Sequence, residues 1–178
     1  MVDTCVVDTN VLIVASAADD GSPFSPDATP VQEAALRQQV LDWLIAFEQD
    51  AQCHAVMDWD WLICGEYQNK LTDQDYGWLA LMSKKDRNEV VWVGLSIDAD
   101  GHAELPESLA PSITDLADRK MIAAVLAAQA QGQLCKLANA CDTDWLDCAY
   151  ALTQHGIATE HIIEPWLHAK WQSMQADA

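Results

Sequence analysis

Apolar positions along the chain change their spacing several times, and each change predicts an element. Cys5-Val6-Val7 is a short unbroken apolar run, the pattern of a strand buried on both faces. Three polar residues, Asp8-Thr9-Asn10, follow it before apolar character resumes over Val11 to Ala15. Ser16 to Pro30 holds three prolines and an Asp-Asp-Gly-Ser sequence and reads as a loop. From Val31 to Phe47, Leu36, Val40, Trp43, Leu44 and Phe47 keep a helical period. His54 to Met57 is a second short strand, closed by Asp58, and helices are predicted over Trp59–Leu71 and Tyr76–Ser83. Glu89 to Ile97 reads as a strand that Asp98 to Gly101 turns into a hairpin with His102 to Leu105. The remaining pattern gives a helix over Asp118–Gln129, a strand over Leu134–Ala138, a helix over Asp144–Gln154 and a last strand over Ile157–Ile163. Pro165 is placed to open a C-terminal helix.

Strands alternating with helices predict an α/β fold: three layers, α/β/α, around a central mainly parallel sheet. The expected organisation is a main domain over 1–163 with a helical extension over 164–178. At 178 residues one core suffices. No apolar run approaches the roughly 20 residues that cross a bilayer. No Lys or Arg precedes Arg37, so no secretory signal is expected. Six cysteines without a C-x-x-C pair suggest buried free thiols in a reducing compartment, hence the cytoplasm.

Charge alters the picture. Nine basic residues against 28 acidic ones give −19, the reverse of the usual nucleic-acid footprint. Either the acids form a solvated surface that keeps a tryptophan-rich protein soluble, or some of them hold metal or face a basic partner. Their placement separates these cases. Asp8 falls at the carboxyl end of the first strand, where open α/β sheets bind ligands. Helix capping by Asp8 or Asn10 is the plainer alternative. Glu66 occupies the i+7 place of the stripe Trp59, Leu62, Ile63, Tyr67; its plainer alternative is an edge pair with Lys70. Asp118 opens a helix, a position where an acid is favourable in itself. Asp142 and Asp144 form a D-x-D after the fourth strand, and capping needs only one of them.

The ordered set VVDTN, helical Glu66, DRKMI and CDTDW resembles the PIN-domain nucleases over roughly residues 2 to 163. The resemblance implies an acidic quartet of Asp8, Glu66, Asp118 and Asp142, with Asp144 as a further metal ligand and Asn10 in support. It also implies an endoribonuclease that hydrolyses single-stranded RNA, in many bacterial members as the toxin of a toxin–antitoxin pair. One departure stands out: the family often has Ser or Thr two residues before the fourth acid, where this chain has Ala140.

Clustered carboxylates repel unless a counter-charge joins them, and Mg²⁺ or Mn²⁺ suits an all-oxygen site. Arg119 and Lys120 are candidates to meet substrate phosphates, with Lys84, Lys85 and Arg87 extending the path of the strand. The expected partners are RNA, a basic antitoxin-type protein and a second copy of the chain in a homodimer, with no membrane. Two other functions stay open: a PIN-like module without activity that binds a basic partner, and a nuclease acting on DNA or flaps.

Overall fold

The computed structural model describes residues 2–178. Five strands form one sheet: β1 (Asp3–Val7), β2 (Cys53–Asp58), β3 (Val90–Val93), β4 (Leu134–Asn139) and β5 (Ala158–His161). Their order is β3-β2-β1-β4-β5 and every pairing is parallel. Helices cover both faces, so the three-layer α/β/α architecture is as the alternation required. On one face α1 (Thr9–Ala18), α2 (Ala34–Gln49) and α4 (Tyr76–Asp86) pack against one another. On the other, α5 (Arg119–Ala130) touches β1 to β4. The short α3 (Leu62–Lys70), α6 (Asp144–Asp147) and α7 (Ala149–Gln154) and the terminal α8 (Glu164–Ala176) lie around this frame.

Central strands bury both faces, which is why β1 reads as an apolar run: Thr4 to Val7 are all buried. Numbering departs in opposite directions from β1, toward β2 on one side and β4 on the other. That reversal makes the carboxyl ends of β1 and β4 the topological switch point, where the loops diverge and leave a crevice. Asp8 and Asn139 to Asp142 stand there. All six cysteines are free, and all but Cys53 are buried. Among the described residues no helix is long and apolar enough to cross a membrane.

Several boundaries differ from the sequence pattern. The predicted Glu89–Ile97 strand is ordered only over Val90–Val93, and the hairpin reduces to one antiparallel bridge, Ile97 to Ala103. The Asp98 side chain accepts from the Asp100 and His102 amides and so serves the turn itself. The helix expected from Trp59 starts at Leu62. Asp58 forces the delay, accepting the Leu62 and Ile63 amides at 2.9 and 2.8 Å and acting as the helix's anchor. The helix expected over Asp144–Gln154 is broken at Cys148 into α6 and α7. The C-terminal extension forms α8 and docks on the main body: Leu167 is fully buried, Trp171 donates to Asp147 at 2.7 Å, and Met174 receives the Thr143 hydroxyl.

Candidate metal centre

Each acid at the switch point is placed by an identifiable local cause. Asp8 follows β1, whose ladder ends with its own amide donated to the Ala138 carbonyl at 3.0 Å. It occupies the N-cap position of α1, yet its side chain makes no cap hydrogen bond. Instead the carboxylate accepts from the indole N–H of Trp145, a fully buried ring on α6. Asp118 occupies the N-cap position of α5, again without a side-chain cap bond. Capping therefore explains neither residue.

Asp142 sits on a turn fixed by two asparagines. The Asn139 side chain accepts the Asp142 amide at 3.1 Å and donates to the Asp142 carbonyl at 2.9 Å. Asn10 donates to Asn139 at 3.0 Å and accepts the amides of Ala140 and Cys141 at 2.8 and 3.1 Å. This pair fixes the turn from outside position 140, so the methyl of Ala140 costs the turn nothing. Asp142 in turn accepts the Asp144 amide at 2.9 Å.

Glu66 has a different environment from either sequence alternative. It accepts the Thr9 hydroxyl at 2.7 Å and forms an ion pair with Lys120 across from α5, not with Lys70. It is half-buried at the stripe's edge, while Ile63 and Tyr67 carry the burial.

The tightest grouping of acids is Asp115, Asp118 and Asp144, whose ligand oxygens lie within 4.8 Å of one another. The sequence pattern marks Asp118 and Asp144 but not Asp115, which the turn before α5 brings in. Asp8, Glu66 and Asp142 are not part of that trio, although Asp8 and Asp142 are close enough to act on Asp118 through charge. A cavity of about 380 Å³ opens over the trio, walled also by Ile113, Trp145 and Tyr150.

Electrostatics show what this costs the metal-free protein. Burial, then the charges of Asp142 and Glu66, raise the Asp8 carboxyl to about 7 against the opposing Trp145 hydrogen bond. Burial, then Asp8, Asp142, Asp115 and Asp144, raise Asp118 to about 8. Asp142 is raised as well, mainly by burial. Among the described residues no ion pair reaches any of Asp8, Asp115, Asp118, Asp142 or Asp144. An all-oxygen, uncompensated acid group of this spacing fits a hard divalent cation.

The basic residues are otherwise engaged. Arg119 donates to the carbonyls of Ala110 and Ile113, tying the preceding loop to α5. Lys84 is wholly buried, donating to the carbonyls of Asp50 and Cys53 near the amino end of β2, and to Glu89. Arg87 is held by Glu48 and Glu89. Lys84 and Arg87 are thus part of the scaffold at the far end of the sheet, and neither is free to follow a nucleic-acid strand.

Asn139 and Trp145 were also missed from sequence. Asn139 had a signal, a polar residue closing an otherwise apolar strand, as Asp8 closes β1. Trp145 had none, since nothing local says that its N–H meets a residue 137 positions earlier. No family model, curated protein or solved structure matches this chain.

Proposed function

We propose that this chain is a Mg²⁺- or Mn²⁺-dependent endoribonuclease of the PIN-domain kind, hydrolysing phosphodiester bonds of single-stranded RNA. The observation that carries the reading is the grouping of Asp115, Asp118 and Asp144, with Asp8 and Asp142 near enough to act on Asp118 through charge and, among the described residues, no ion pair to any of the five. A hard divalent cation, when bound at such a site, supplies Lewis-acid stabilisation of a phosphodiester under attack by water. The chain's own residues prepare the place. Asp115, Asp118 and Asp144 offer the converging oxygens, and Asp8, held by Trp145, acts on Asp118 through charge. Asn10 and Asn139 fix the turn that carries Asp142, so ligand geometry need not be ordered at the moment of binding. Glu66, tied to Thr9 and Lys120, holds α3 and α5 together beside the acids. The toxin half of a toxin–antitoxin pair is the setting that the resemblance implies.

The test is metal-dependent cleavage of labelled single-stranded RNA by the parent and by Asp118→Asn and Asp8→Asn. Cleavage by the parent alone supports the reading; cleavage that survives both substitutions overturns the site.

One observation favours a second reading, a PIN-like module that binds a basic partner without cleaving. Arg119 and Lys120, the cations nearest the acids in sequence, are both engaged within the chain, so few positive groups remain for phosphates. Metal binding without cleavage of single-stranded RNA or duplex DNA would select it.

A further inference from the structure

A second feature stands at the carboxyl end of β2, and nothing in the acidic site uses it. Trp59 stacks on Trp92 of the edge strand β3 with ring centroids 5.0 Å apart and planes inclined by 21°. Trp61 extends the stack at 6.4 Å, also at 21°. The outermost ring is left in water: Trp59 is 67% exposed. Its arrangement is imposed by the backbone. Trp61 has φ 64 and ψ 24, a left-handed conformation that a bulky side chain adopts only when its surroundings dictate it. Asp58 dictates it from one side through the Leu62 and Ile63 amides, and Gln68 from the other by accepting the Trp61 indole N–H at 3.1 Å. The result is two indoles set against a third, with the Trp59 ring exposed.

Charge decides what that face suits. The chain carries −19, and Asp60, between Trp59 and Trp61 in sequence, is exposed. Its own bases are largely committed: Lys84, Lys85, Arg87, Lys120 and Lys136 to ion pairs, Arg37 and Arg119 to carbonyls. A phosphate-rich strand is repelled by this field, whereas a cation is drawn both by it and by the negative face of the indole. The chain uses the same contact internally, with Lys170 5.1 Å from the Trp166 ring centre and Lys84 4.7 Å from that of Phe47. Arginine suits the platform better than lysine, because a planar guanidinium stacks on the ring while its fork reaches a neighbouring carboxylate.

We propose that the Trp59–Trp61–Trp92 stack is the docking site for an arginine-bearing segment of a basic partner protein, the guanidinium lying on the outer face of Trp59. The site is independent of the nuclease reading, and metal-dependent cleavage is not its readout.

The experiment is calorimetric titration of the full chain with a hexa-arginine peptide at physiological ionic strength. The comparison proteins are Trp59→Ala and Trp59→Leu, and the comparison ligands are a hexa-citrulline peptide and oligouridylate. Neither substitution changes charge, so general attraction to the acidic surface is the same in all three proteins. The expected result is hexa-arginine affinity about 3- to 30-fold weaker in both variants, with little binding of the neutral citrulline peptide. Trp59 lies outside the core, and far-UV circular dichroism establishes that the variants fold. Equal affinity of parent and Trp59→Ala overturns the proposal. So does full affinity in Trp59→Leu, which would make the contact merely apolar. Oligouridylate binding that falls in Trp59→Ala while peptide binding holds would reassign the platform to nucleobases and equally overturn it.

Discussion

At the scale of single residues, Asp118 and Asn10 do opposite things for stability. Asp118 is raised to about 8 by burial and by four neighbouring acids, so the folded metal-free protein holds its proton more tightly than the unfolded chain does. Ionising it therefore costs stability above the ordinary carboxylate range. Asp118→Asn should stabilise the metal-free protein above pH 8 by about 1–2 kcal/mol after solvent screening, a rise in Tm of about 2–8 °C. The difference should vanish below about pH 4, where the carboxyl is protonated in both states, and differential scanning fluorimetry at the two pH values checks both limits. Asn10→Ala should act the other way. It strands the buried-turn amides of Ala140 and Cys141 and one side of Asn139, costing about 1–3 kcal/mol. Urea unfolding should show a lower midpoint with an unchanged slope, and a loss below about 0.5 kcal/mol would mean that the turn stands without Asn10.

At the scale of elements, the close approach of α1 and α4 is the most constraining contact. Gly77 opens the first turn of α4 against Leu12, and a Cβ there would lie 2.6 Å from the Leu12 carbonyl oxygen and 2.7 Å from its Cβ. Backbone, not a flexible side chain, is the obstacle. The Gly77 amide also donates to the buried Ser16 hydroxyl at 2.9 Å, which locks the approach in place. Gly77→Ala should therefore cost about 1–3 kcal/mol although alanine is the better helix former. A Tm equal to or above that of the parent would show that helix propensity outweighs the clash. Since Asp8 stands at the N-cap position of α1, a shift of α1 should also weaken the stabilisation by added Mn²⁺.

Across the whole molecule, several acids titrate together, and their sum gives a pH dependence. Asp8 at about 7 and Asp118 at about 8 are both raised, so metal-free stability should fall as pH climbs from about 4 to about 8 and then level off. A divalent cation bound at these acids would displace those protons, so its affinity should rise over the same range. The increase in Tm on adding Mn²⁺ should accordingly be larger at pH 8.5 than at pH 6 by several degrees, since binding to the folded state alone stabilises it. A metal-induced shift independent of pH would mean that the cation binds away from Asp8 and Asp118. The same charge distribution predicts weak retention of generic RNA with a shallow salt dependence, because few free cations exist to release counterions. A filter-binding series over salt concentration measures it; a steep slope would require a basic surface that the fold does not present.

Periodicity alone determined the alternation of strands and helices, the parallel sheet and the position of Asp8 at a strand end, because each rests on spacing along the chain. The ends of elements were legible only in part. Trp59 to Trp61 carries helical spacing, but Asp58 captures the next amides and postpones the helix, a competition that spacing does not express. Asp118 and Asp144 announced themselves by position, whereas Asp115 joined them only because a turn folds back before α5. Glu66 was legible as an oddity on an apolar stripe, and its partner was not, since Lys120 comes from a different layer of the fold. The nine cations could be counted in the sequence. That Lys84 is buried, that Arg119 clasps a loop and that three tryptophans from two strand ends stack into one exposed face was decided by the tertiary structure. The physical reason is range: propensity and periodicity act over a few neighbouring residues, while desolvation, ion pairing and stacking depend on whatever packing brings together.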